Sequence, residues 1–255
     1  VSSSSSAKKT ALVTGAASGI GLAAVELLAR NDIAVALNYL ADDDRGAEQV
    51  ARLQSEGFSI IPAVGDVSEP AGVEEMVATA IDRLGRLDYL VNNAATAASG
   101  PVPIGELHKL DESFWSQILS TNLVGPFRCV KAAAAALRRA GGAIVNTASI
   151  GGMESAGSSI AYSASKAGLI NLTKNLARAL APDVRVNAVA PGYVETPWTA
   201  QWSDDRRESF AKASLLERPC TPADIAEAIV FLCIKGNMIT GQTLVVDGGL
   251  MLGHQ

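Results

Sequence analysis

The stretch SSIAYSASKAGLI, residues 158–170, holds two ionisable side chains, Tyr162 and Lys166, four residues apart. On a helix that spacing sets them side by side on one face. A phenol and an ammonium so placed can act as a proton donor and the charge that tunes it. An unperturbed phenol titrates near ~10 and is a poor base at neutral pH, and a neighbouring cation favours the phenolate. Taken alone, Tyr162 reads more simply as a core phenol and Lys166 as a solvated helix charge, so the remainder of the chain has to decide.

A second candidate lies near the start. In ALVTGAASGIGLAAVELLAR a strand passes through Gly15, Gly19 and Gly21 into an amphipathic helix. Glycines allow a sharp turn and close approach of a ligand, and the helix N-terminus offers free N–H groups to a phosphate. The spacing is GxxxGxG, not the GxGxxG of the common dinucleotide fingerprint.

These residues need a frame. Apolar, β-rich runs at 10–14, 34–39, 59–67, 87–93, 142–149, 184–191 and 243–249 alternate with helix-length segments near 19–30, 43–56, 70–84, 111–139, 159–180 and 222–235. Strands apolar on both faces, separated by helices, predict a doubly wound parallel α/β sheet of about seven strands with helices on both faces. One domain over 8–255 follows, with residues 1–7 as a disordered tail. In open sheets of this kind ligands bind at the carboxyl ends of the strands, where the glycine turn falls. The least regular segment, 193–221, carries Trp198, Trp202 and Phe210 among polar residues and reads as a lid over a site.

Composition narrows the partners. The 255 residues are 48% hydrophobic and 18% charged, with a net charge of −5, which disfavours nucleic acid and anionic membranes. Cys129, Cys220 and Cys233 read as reduced thiols of a cytoplasmic protein. With only His108 and His254, no metal site or catalytic histidine is expected. No apolar run is long enough to span a bilayer.

Taken in order, TGAASGIG (14–21), GDV (65–67), NNAA (92–95), TNLVGPF (121–127), TAS (147–149), the Tyr162–Lys166 pair, PGYVET (191–196) and VVDGG (245–249) resemble the short-chain dehydrogenase/reductase superfamily, over residues 8 to 250. Ala95 stands where the family usually has glycine. The resemblance implies a Rossmann-like fold and an oxidoreductase moving a hydride between nicotinamide and an alcohol or carbonyl. Tyr162 would be the general acid/base, and Lys166 would tune it and bond the nicotinamide ribose. Ser149 would hold the substrate oxygen, and Asn122 would hold a water linking Lys166 to solvent. Pro126, four residues after Asn122, lacks the N–H that would bond the Asn122 carbonyl in a helix and so leaves that carbonyl open. Alternatives are a non-redox isomerase or dehydratase on the same fold and a non-enzymatic dinucleotide sensor.

For the cofactor, the resemblance implies Gly15, Ser18, Gly19, Ile20 and Gly21 at the pyrophosphate. Asp66 and Val67 would meet the adenine, Asn92 and Ala94 the adenosine side, and Pro191, Gly192, Val194 and Thr196 the carboxamide. Tyr39 stands where NAD-preferring members carry Asp; an acidic side chain there would repel a 2′-phosphate. NADP(H) is therefore the expected cofactor, with Asn38, Ser18 and Tyr39 on the phosphate and NAD(H) as the second option. Arg45 lies further along, and Asp42, Asp43 and Asp44 are expected to cap the next helix. Ile150, Gly151, Met153, Tyr193, Trp198 and Trp202, with Met251, are the expected substrate pocket, suited to a small or medium neutral alcohol or carbonyl compound. The resemblance also implies a homotetramer.

Overall fold

The computed structural model describes residues 8–154 and 157–253; the expected tail at 1–7 lies outside them. Seven parallel strands form one sheet in the order β3-β2-β1-β4-β5-β6-β7. They are β1 (Thr10–Val13), β2 (Ala34–Tyr39), β3 (Ile60–Val64), β4 (Tyr89–Asn92), β5 (Ala143–Thr147), β6 (Arg185–Pro191) and β7 (Thr243–Val246). The chain order reverses between β1 and β4, which opens a crevice at their carboxyl ends. Central strands β1 and β5 are buried throughout, as covering on both faces requires.

Helices α1 (Gly19–Arg30) and α2 (Asp44–Ser55) cover one face with α8 (Pro222–Ile234). On the other lie α3 (Pro70–Leu84), α5 (Gly125–Ala140) and α6 (Ile160–Leu180). Between β4 and α5 runs α4 (Glu112–Leu119), whose Phe114 and Ile118 pack with Val102 and Ala161. The remaining helix, α7 (Asp204–Ala213), belongs to the irregular segment before α8. Among the described residues no helix is long and apolar enough to cross a membrane.

The single helix expected over 111–139 is instead two helices joined by a π-turn, Ser120–Val124. The Gly125 N–H donates to the Ser120 carbonyl, five residues back. Pro126 has no N–H to donate, so the ladder loses a regular bond here and widens by one residue. Nor do the three aspartates cap α2 as expected. Asp43 occupies the N-cap position without a capping bond, because both its oxygens accept from Arg45, at 2.8 Å each.

At the amino edge of the sheet, Asp88 is buried and ties three pieces together. It accepts from Lys9 at 2.7 Å, from Arg86 at 2.6 and 2.7 Å, and from the Thr10 N–H at 3.0 Å. That staple holds β1 beside β4, at the end of the sheet opposite the crevice.

Candidate active site

A cleft of about 1030 Å³ opens at the carboxyl ends of the strands. Its floor is the glycine turn. Gly15 adopts φ +61°, and a Cβ there would lie 2.7 Å from Ala94 Cα, so only glycine lets the turn and the loop after β4 meet. Two side chains brace the contact. Thr14 Oγ1 accepts from the N–H groups of Asn93 (3.0 Å) and Ala94 (3.1 Å). The Asn93 amide donates back to the carbonyls of Thr14 and Gly15, at 3.1 and 2.9 Å. Ser18 then begins α1 without a side-chain cap, leaving the helix N-terminus facing the cleft.

Deeper in, Ser159 caps α6 by accepting from the Tyr162 N–H at 3.0 Å, which fixes Tyr162 in the first turn. One turn on, Lys166 is buried beside it, its Nζ 5.6 Å from the Tyr162 ring centroid and donating to the Thr147 carbonyl at 2.7 Å. Ser149 ends the β5 run; its Oγ accepts from the Gly151 N–H at 3.1 Å and bonds the Tyr162 phenol. Burial pushes that phenol up to about 12, partly offset by Ser149, and pushes Lys166 down to about 8. The expected lowering of Tyr162 by Lys166 is therefore not seen. Desolvation governs the phenol, and the ammonium is turned toward Thr147.

Asn122 is fully buried in the π-turn and does not reach the cleft wall. Its Oδ1 accepts from the Thr96 N–H at 2.8 Å, and its Nδ2 donates to the Thr96 carbonyl at 2.9 Å and to Ser165 Oγ at 3.3 Å. Ser165 Oγ in turn donates to the Tyr162 carbonyl at 2.7 Å. Asn122 thus ties the loop after β4 to the helix that carries the pair.

Aromatic side chains close the outer end. Trp198 meets Tyr162 edge-on at 6.2 Å, and Tyr193, Trp202 and Phe210 stand 5.6–5.7 Å from one another. Arg206 lies over Trp202 at 4.3 Å. All four rings line the cleft, three of them from the irregular segment after β6 and Phe210 from α7 within it.

The family described as enoyl-(acyl carrier protein) reductase matches residues 15–251. The chain belongs to the short-chain dehydrogenase/reductase superfamily. It is 40% identical to cis-4-hydroxycyclohexanecarboxylate dehydrogenase of Sinomonas cyclohexanicum, covering 95% of this chain and 96% of that one. It is 36% identical to 3-oxoacyl-(acyl-carrier-protein) reductase of Staphylococcus epidermidis, covering 96% and 99%. Among solved structures, a glucose/ribitol dehydrogenase of this superfamily from Brucella melitensis superposes with TM-score 0.87 at 32% identity, covering 95% of this chain and 96% of that one. The chain is accordingly an NAD(P)-dependent oxidoreductase acting on CH–OH or C=O groups.

Membership of the superfamily leaves the placement of each residue to the structure. Gly15, Ser18, Gly19, Ile20, Tyr39, Asp66, Val67, Ala94, Pro191, Gly192, Val194 and Thr196 line the cleft. Gly21 does not: a Cβ there would sit 2.4 Å from the Gly15 carbonyl, so it serves the packing of α1 on the turn. Asn92 is also displaced. Strand alternation turns it inward, where it donates to Asn146 at 2.8 Å, and its neighbour Asn93 faces the cleft instead. Asn38 borders the cleft but is not free for a phosphate, since it accepts from the Gly15 N–H and donates to the Ala63 and Gly65 carbonyls. Asp66 faces the cleft while its Oδ1 accepts from the Ser68 N–H at 2.7 Å.

In the substrate half, Ile150, Tyr193, Trp198 and Trp202 line the cleft as expected. Gly151 and Met153 do not: Gly151 is buried behind Ser149, and Met153 points outward, 46% exposed. Leu250 takes the place expected for Met251. Thr14, Asn93 and Phe210 were not among the sequence candidates. Phe210 was legible as an aromatic of the irregular segment, whereas Thr14 and Asn93 act through backbone contacts that no spacing announces.

Proposed function

We propose that the chain interconverts a neutral alcohol and its carbonyl compound, with Tyr162, Ser149 and Lys166 as catalytic residues and Asn122 holding their frame. The observation that carries this reading is the half-buried Tyr162 phenol, bonded to Ser149 and flanked by Lys166 in a cleft of dinucleotide size. The residues present fit a dinucleotide, because the Gly15 turn and the open N-terminus of α1 form a cradle that a side chain would fill. Gly15, Ser18, Gly19 and Ile20 would hold its pyrophosphate, Asp66, Val67 and Ala94 its adenosine, and Pro191, Gly192, Val194 and Thr196 its carboxamide. When bound, the nicotinamide supplies or accepts the hydride.

Tyr162, protonated at neutral pH, gives its phenolic proton to the substrate oxygen during reduction and recovers it during oxidation. Ser149 Oγ accepts from Gly151, and its own hydrogen, directed at the Tyr162 phenol, would turn to hold the same substrate oxygen. Lys166 charges at a buried position, where its field on the phenol is least screened. The aromatic segment 193–221 closes over the substrate and keeps water from the transfer. Among the described residues no acid, and no base except Lys166, lines that end of the cleft, which suits an uncharged substrate of small or medium size with an apolar body.

NADP(H) is the favoured cofactor. Tyr39 leaves the 2′-position without the usual acid, and among the described residues Arg45 and Lys166 are the cations that line the cleft. Arg45 must leave Asp43 to meet a phosphate. Three free, buried cysteines suit the reducing cytoplasm. Exposed Val124 and Phe127 on one side, and Phe231, Leu244 and Val245 on another, offer apolar faces for a homotetramer. Titration with NADPH and NADH, followed by nicotinamide fluorescence, tests the cofactor reading. Tighter binding of NADPH is expected; binding of NADH alone would overturn the preference, and binding of neither would overturn the site.

A further inference from the structure

Arg128 points to a positioning role in cofactor binding. It stands on the first turns of α5, outside the cleft wall, and its Nη1 reaches only oxygens of two segments. It donates to the carbonyls of Val67 (3.3 Å) and Ser68 (2.8 Å), in the loop after β3, and to the carbonyl and Oγ of Ser120 (3.2 Å each). Ser120 Oγ also donates to the Ser68 carbonyl at 3.2 Å. Among the described residues no carboxylate pairs with Arg128, and its charge is directed to three backbone carbonyls and one hydroxyl.

The π-turn makes this clamp feasible. On a regular helix, eight residues would leave Arg128 about 80° around the axis from Ser120, whereas one extra residue in the turn brings it to within about 20°. Arg128 can then reach back along its own helix to Ser120 and across to the loop together. Val67 is pressed into the same joint: a Cβ on Gly125 would lie 3.0 Å from Val67 Cγ2 and 3.1 Å from its carbonyl. The loop so held carries Asp66 and Val67, the residues that line the adenosine end of the cleft.

We propose that Arg128 is a positioning residue that locks the loop Asp66–Ser68 to the π-turn and so preforms the adenine subsite. The role rests on the dinucleotide reading of the cleft. Asn122 keeps its own bonds to Thr96 and Ser165, so loss of the clamp weakens cofactor binding without dismantling the catalytic groups.

The test is equilibrium binding of ADP, which carries the adenosine and pyrophosphate of either nicotinamide cofactor, to Arg128→Met, Arg128→Lys and Ser120→Ala. Arg128→Met is expected to bind ADP about tenfold more weakly and to raise the cofactor KM in proportion, while kcat falls less than about threefold. Lysine is expected to restore part of the affinity, since one ammonium can hold the Ser68 carbonyl but cannot span the set. Ser120→Ala is expected to shift affinity in the same direction by less, and it carries the test if Arg128→Met fails to fold. ADP affinity within twofold of wild type in the folded variants would overturn the role. A wild-type protein that binds no ADP would instead overturn the dinucleotide reading, and this role with it.

Discussion

Loss of water around the half-buried Tyr162 opposes its ionisation more than the Ser149 hydrogen bond favours it, and that makes it a better proton donor than acceptor. With the phenol pushed up to about 12, the neutral form prevails at physiological pH, ready for carbonyl reduction. Alcohol oxidation needs the phenolate, whose fraction grows as pH rises toward that value. The kcat/KM for oxidation is therefore expected to climb between about pH 7 and 9 while that for reduction does not. An oxidation profile flat over that range would mean the phenolate is already formed once cofactor binds. Removing the hydroxyl is the sharper test. Tyr162→Phe is expected to lower turnover by about 10²–10⁴-fold while cofactor affinity stays within about twofold. Parallel loss of both, measured by fluorescence titration beside a rate assay, would make the ring a packing element. The residue scale also separates neighbours that look equivalent in the sequence: Asn92 joins a buried amide chain to Asn146, and Asn93 holds the glycine turn.

Among the elements, two junctions govern the site. The first is the packing of α1 on the glycine turn, which leaves no room for a methyl group at Gly21. Gly21→Ala places a carbon 2.4 Å from the Gly15 carbonyl, so the helix must shift and its N-terminus must leave the phosphate position. A loss of about 1–3 kcal/mol in stability is expected, together with weaker cofactor binding. Unchanged melting and affinity would show that α1 can slide freely. The second junction is the π-turn at Ser120–Val124. Pro126 signals an interruption in the sequence, read there as leaving the Asn122 carbonyl without its helical partner. That the interruption is an inserted residue depends on what packs around it. Asn122 is drawn to Thr96 and Ser165, Gly125 lies against Val67, and Arg128 pulls Ser120 toward the loop after β3.

For the molecule as a whole, the exposed apolar side chains include Val124 and Phe127 beside the π-turn, and Phe231, Leu244 and Val245 on α8 and β7. The proposed tetramer would need both faces to pair with copies of themselves, since two sets of two-fold axes require two such contacts. Light scattering is expected to give four times the chain mass for the wild type and a dimer for Phe127→Asp; a monomeric wild type would count against both faces. The alternation of β-rich and helical runs was sufficient to read a doubly wound sheet before any coordinates, whereas the dehydrogenase site was read from the glycine turn, the Tyr162–Lys166 spacing and the other motifs in order, through their resemblance to the superfamily. Those features are local: a strand's two buried faces, a turn that needs positive φ, and a pair on one helix turn are all written in neighbouring residues. What only the tertiary structure decided is non-local. Asn38 is occupied by three backbone partners from other strands and turns, Asp43 is taken by Arg45, and Met153 faces outward. Burial, which raises Tyr162 and lowers Lys166, is likewise a sum over every element packed around them, and no stretch of sequence contains that sum.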